Sequence, residues 1–175
     1  EPPTSIAGGE PEPLASALVD GLPGFEAIDD PLADRPLDIE EAANIQPDPT
    51  EELPLLETRG FAGGWTRAFR NPARDVIVTT VYEFVDHEEA AFYLEDGLIT
   101  IGGYGGQFFE VPDIDGSRGF RQEIGGTEPL LSVGVTFVRE NRWFLVYVIR
   151  DAETVVPESL IEAARLQAAR ADSGI

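Results

Sequence analysis

The side chains able to do chemistry are few, and each has a narrow repertoire. His87 is the single imidazole, and it lies beside Glu88 and Glu89. A metal would need further carboxylates converging on it from elsewhere, whereas a place at a helix start favours a solvated first-turn residue. All twelve basic side chains are arginine, and neither cysteine nor methionine occurs. Thiol nucleophiles, cysteine-bound metals and lysine Schiff bases are therefore excluded. Asp113-Ile114-Asp115-Gly116 opens like a calcium loop, but that pattern needs a carboxylate where Ile124 stands, so a turn is expected. Asp113 and Asp115 are also the acids a carboxylate-dependent hydrolase would pair, yet neighbouring loop positions are not opposed across a cleft. Gly102-Gly103-Tyr104-Gly105-Gly106 lacks the lysine of a phosphate cradle. It reads as the end of a helix, leaving Tyr104 on a glycine loop that could close over a pocket.

One stretch combines aromatics with a cation. Strand alternation over residues 60–70 puts Phe61, Gly63, Trp65, Arg67 and Phe69 on one side. Such a stripe suits a planar or anionic group, through stacking and forked hydrogen bonds. The structural alternative is that Trp65 and Phe69 are core and Arg67 pairs with a carboxylate, which is the commoner outcome for aromatics alternating in a strand. Arg118 and Arg121 flank Phe120 in the same manner. Trp65, Arg67, Tyr104, Phe108 and Arg121 are thus the candidate binding residues, with no catalytic residue, metal ligand or cofactor expected.

The elements that would position them follow from periodicity. Residues 60–70 and 75–85 form two β-rich runs joined by Asn71-Pro72-Ala73-Arg74, which predicts a hairpin. Residues 107–111, 117–124, 130–140 and 142–150 read as further strands, the last two paired through a tight turn. Residues 76–85 and 143–149 are apolar on both alternating sets, so both faces of the sheet should be covered. Cover is expected from a helix over 86–101, capped by Asp86 and Glu89, and from another beginning at Pro157. The sum predicts an α+β fold, an antiparallel sheet of five to six strands with helices packed against it.

Charge divides the chain. Residues 1–58 carry fifteen acids against Arg35 alone, and ten of the fourteen prolines. Residues 1–20 have too little apolar surface to offset their ordering entropy, which predicts a flexible acidic tether. Residues 21–58 are expected to drape over the main domain as extended chain and short helices, including 37–45 behind Asp38 and a start at Thr50 limited by Pro54. The core domain then spans 59–175. A net charge of −21 disfavours nucleic acid and anionic membranes as partners. Lysine-free, arginine-rich coding points to a GC-rich genome, with a halophile as the other possible origin. An opening Glu1-Pro2-Pro3 suggests a processed chain.

The succession of an acidic proline-rich leader, LPGF, RGFAGGWTRAFR, VYEFVDHEEAAFYL, FFEVPDIDGSRGFR and a closing apolar hairpin resembles uncharacterised secreted proteins and lipoproteins of high-GC Gram-positive bacteria. In outline the order is similar to PsbP-like domains of the LpqN kind. The resemblance implies export, membrane attachment only through an upstream lipidated cysteine, and an accessory or binding role. The expected function is non-enzymatic: an extracytoplasmic domain binding a protein partner or stabilising an envelope complex. A small-ligand carrier, with a pocket under Tyr104 lined by Trp65 and Phe108, is the alternative, and the hydrolase comes third.

Overall fold

The computed structural model describes residues 12–124, 130–151 and 156–173. Its centre is one antiparallel sheet of eight strands in the order β1-β3-β4-β8-β7-β6-β5, with β2 beside β1 on the outer edge of β3. The long strands are β3 (Phe61–Arg70), β4 (Val76–Phe84), β6 (Arg118–Ile124), β7 (Leu130–Arg139) and β8 (Arg142–Asp151), and β5 (Gln107–Phe109) forms one edge. Two strands exceed the expected number, β1 (Glu26–Ala27) and β2 (Asp34–Leu37). Both come from the acidic segment expected only to drape, and they are too short and polar to show alternation. Pro36 is tolerated in β2 because the strand lies on the sheet edge.

Local chemistry sets the connections. In the β3–β4 turn, the Asn71 side-chain Oδ1 accepts from the Asp75 backbone N–H at 2.8 Å, and Arg74 takes φ 72°. In the β7–β8 turn Glu140 takes φ 53°, and Asn141 donates to the Phe84 carbonyl at 2.8 Å, tying that turn to the end of β4.

Helices cover both faces, unequally. On the first face lie α1 (Glu12–Ala17) and α5 (Glu158–Asp172), with a core that includes Leu18, Phe69, Ile77, Val133, Phe137, Phe144, Val146 and Leu160. On the second lie α2 (Ile39–Asn44), α3 (Pro49–Thr58) and α4 (His87–Gly103), over Tyr82, Phe84, Tyr93 and Trp143. The start of α2 is a full capping box between Asp38 and Glu41. The cap of α3 is Asp48, not Thr50, and Pro49 opens it. Pro54 sits further into α3 and the helix continues to Thr58, so this proline does not stop it.

A tether over 1–20 does not describe the second half of that segment; residues 1–11 lie outside the described residues. Leu14, Ala17, Leu18, Val19 and Leu22 are buried in the first core. Their polar backbone is satisfied by the last helix. Fully buried Gln167 donates to the Ala17 carbonyl at 2.8 Å and accepts from the Val19 N–H at 3.1 Å, while Arg170 donates to the Ser16 carbonyl at 2.8 Å. Composition alone underestimated this strap, because its apolar residues gain a groove supplied by distant chain.

Under α3, the Tyr93 hydroxyl donates to the Glu52 carboxylate, and the Tyr82 hydroxyl donates to the Ala42 carbonyl at 3.0 Å. Burial pushes the Glu52 pKa above its ordinary value of 4.5, against the smaller opposing effect of the Tyr93 bond. The native state therefore holds the Glu52 proton more tightly than the unfolded chain. This contribution to stability is complete below pH 4.5 and is lost as pH rises through the elevated folded value. Glu52→Gln is expected to match the native protein in urea midpoint at pH 4 and to exceed it at pH 7; an unchanged difference between the two pH values contradicts this assignment.

Candidate binding surface

The register gathers residues of the second face into rows running across the sheet. One row is Thr66, Thr80, Leu145, Thr136 and Arg118; the next is Ala68, Val78, Tyr147, Gly134 and Phe120; beyond it lie Glu26, Arg70 and Val76 on one side and Ile149, Ser132 and Gln122 on the other. The second core extends as far as Leu145 and includes none of Val76, Val78, Tyr147 or Ile149. The expectation that both faces are fully covered thus holds for the first face and for only part of the second, among the described residues. Ile149 is 46% exposed, and Val76, Val78 and Tyr147 are half-buried.

The reason lies in α4. Its sheet-facing stripe begins with Ala90, Tyr93 and Leu94, which pack in the core. Helical spacing continues that stripe through Gly97 and Ile101, neither of which is buried. A Cβ added at Gly97 would meet nothing within 4 Å. The first half of α4 is seated on the sheet and the second half leaves open space, which borders the uncovered rows.

This floor is apolar with polar tips. The Tyr147 hydroxyl has no hydrogen-bond partner among the described residues, and burial raises its pKa. Gly134 lets the floor close. Its own Cβ would lie 2.5 Å from the Phe120 ring and 3.2 Å from the Tyr147 Cβ, so the two aromatics share the space a side chain would fill. Gln46 donates to the Tyr82 hydroxyl at 3.1 Å at the covered end of the same face.

The candidate residues from sequence are distributed over both faces. Trp65 and Arg67 belong to the first face, where Trp65 donates to Asp34 at 2.6 Å. Arg67 is only 12% exposed; it donates to Asp34 at 3.0 Å, to the Val19 carbonyl at 2.9 Å and to Asp20 at 3.2 Å. These two side chains fasten the strap and β2 to the sheet. Arg121, also on the first face, bonds Gln107 across the β5–β6 pair. Phe108 is on the second face, 47% exposed, with its ring against Gly102, and Tyr104 caps α4 at 65% exposure. Trp65 and Phe108 therefore lie on opposite sides of the sheet, and no single pocket is lined by both. Val78, Tyr147 and Ile149, which line the open part of the second face, read as ordinary two-sided strand in the sequence. Their one available signal was Gly97 interrupting the helix that should have covered them.

The remaining chemical candidates are accounted for locally. His87 hydrogen-bonds through Nδ1 with the Glu140 carbonyl at 2.6 Å, joining the start of α4 to the β7–β8 turn. Asp113 adopts φ 70° and pairs with Arg165 at 3.2 Å, and the Asp115 carbonyl accepts from Arg139 at 3.0 Å. Both flank an open depression lined by Glu110, Val111, Ile114 and Arg118. Among the described residues no three His, Cys, Asp or Glu side chains are placed to share a metal ion, and no helix is long and apolar enough to cross a membrane.

These features define an α+β domain, one sheet packed with helices on both sides, that leaves half of one apolar face open. The same fold occurs in the crystal structure of the extracellular domain of PknH from Mycobacterium tuberculosis, with a TM-score of 0.58 and 11% identity over 95% of this chain and 96% of that one. At that identity the likeness concerns fold alone. The sequence matches no protein-family model and no curated protein.

Proposed function

We propose that this chain is a non-enzymatic extracytoplasmic binding domain, of the secreted or lipid-anchored kind found in high-GC Gram-positive bacteria, which recognises a protein partner through the open half of its second face. One observation carries the reading: Val76, Val78, Tyr147 and Ile149 form a contiguous apolar floor that belongs to neither core. Contiguous apolar surface on a strongly charged protein is a recognition feature more often than an accident of packing. The fold likeness to an extracellular domain supports the compartment.

The test places a photo-crosslinking amino acid at Ile149 and, as control, at Leu166, which is 38% exposed on α5. A discrete adduct with an envelope protein is expected from position 149 and not from 166. Equal labelling from both positions, or none from 149, overturns the proposal. Ile149→Arg should abolish the adduct of a crosslinker at Val78 while changing stability by less than about 0.5 kcal/mol, as for exposed sites in general.

A further inference from the structure

On the opposite face from that surface, we infer that the domain carries a peptide-recognition groove whose resident occupant is its own residues 14–20, and that an external polypeptide segment of the same pattern can take their place. The pattern is that of Leu14, Ala17, Leu18, Val19 and Asp20: spaced apolar groups closed by an acid. How the strap is held carries the inference. Residues 16–20 pair with no strand of the sheet. Side chains bond their main chain instead. Gln167 donates to the Ala17 carbonyl at 2.8 Å and accepts from the Val19 N–H at 3.1 Å. Arg170 donates to the Ser16 carbonyl at 2.8 Å, and Arg67 to the Val19 carbonyl at 2.9 Å. Main-chain hydrogen bonds that give affinity whatever the sequence, together with sockets that select side chains, are the two parts of peptide recognition. Here the sockets receive Leu14, Ala17, Leu18 and Val19, all buried in the first core. An anion clamp stands at the end: Asp20 is 73% exposed, yet Arg67 and Arg170 lie 3.2 Å and 3.5 Å from its carboxylate.

The groups that read the segment stand on regular elements, two on α5 and one on β3. Among the buried residues of α5, Gln167 alone is polar. A buried amide is costly unless its donor and acceptor are both bonded, so the segment it clasps accounts for its presence there. Arg67 is oriented from behind: Asp34 accepts from its Nε at 3.0 Å, leaving Nη1 for the strap, and Asp34 is itself fixed by Trp65 at 2.6 Å. Exchange also has a hinge. Gly21 is exposed, a Cβ there would meet nothing within 4 Å, and β1 begins only at Glu26.

The net charge of −21 does not bar an occupant that ends in an acid. The charges that meet it are Arg67 and Arg170, and salt at physiological strength screens exposed charges beyond about 8 Å.

The experiment adds a fluorescein-labelled synthetic peptide of residues 12–22 to the full chain and reads its anisotropy. In the native chain the strap competes at an effective concentration of about millimolar, so the peptide binds weakly. Asp20→Arg in the chain sets a third guanidinium against Arg67 and Arg170, at a side chain exposed enough to spare the fold. The peptide is then expected to bind about tenfold more tightly, the range of one charge-assisted hydrogen bond. A peptide N-methylated at Val19 lacks the N–H from which Gln167 accepts and should bind about tenfold more weakly, and a Leu18→Asp peptide should not bind. Leu18→Ala in the chain is a second route: the unaltered peptide should raise the urea midpoint of this variant, as a ligand of the folded state does. Binding no tighter to Asp20→Arg than to the native chain, with no rise in the Leu18→Ala midpoint, overturns the inference. Equal affinity of the N-methylated peptide also overturns it. So does loss of the fold by both variants, read by near-ultraviolet circular dichroism, since an occupant that cannot leave is part of the core. Crosslinks from Ile149 report on the other face, so either proposal can fail without the other.

Discussion

Replacing Gln167 by leucine is expected to destabilise the domain by about 2–6 kcal/mol, the sum for two buried backbone groups left without partners. Leucine keeps most of the volume, so the loss isolates the hydrogen bonds to Ala17 and Val19. Alanine should cost more, because it adds a cavity at a fully buried position. The urea midpoint should fall for both variants with little change in slope, since the same surface is exposed on unfolding. A leucine variant within about 0.5 kcal/mol of the native protein, the range of an ordinary surface change, would show that the strap is not held as described.

The second large effect is expected at Gly134. Valine there must displace the Phe120 ring, which approaches a Cβ at that position to 2.5 Å, and crowding of this kind costs about 1–3 kcal/mol. Shortening Phe120 to alanine also destabilises on its own, by about 3–5 kcal/mol for a buried aromatic. Together the two changes should cost about 1–3 kcal/mol less than their sum, because the ring that valine strikes is gone. Additive losses in a double-mutant cycle, read by thermal or urea unfolding, would refute the shared space. The outcome bears on recognition too, since Phe120 and Tyr147 support the floor on which a partner would lie.

Periodicity carried most of the architecture. Alternation marked β3, β4, β7 and β8 within a residue or so of their bounds, and Asp86 marked the start of α4, where it accepts from the Glu89 N–H at 3.0 Å. Where recognition fell short, the deciding partner was remote in sequence. β1 and β2 exist because the edge of β3 offers unpaired backbone, a property of the sheet and not of residues 26–37. Leu18 is buried because α5 lies over it.

The candidate site was legible only in its parts. Trp65 and Arg67 stood out by chemistry, yet their partners Asp34, Val19 and Asp20 occupy them fully. Val78 and Ile149 carried no distinguishing mark, since exposure depends on how far α4 follows the sheet. That length is set by packing on both sides of Gly97, which a sequence of apolar and polar positions does not encode.

The bond between the Val19 N–H and Gln167 joins residues 148 positions apart. On a ribosome, the groove that receives Leu18 is incomplete until α5 has been synthesised, so the strap cannot dock before then. Closure over such long separations makes for slow folding and a prolonged unstructured nascent stage. Delayed maturation of that sort keeps a chain threadable while it is being made.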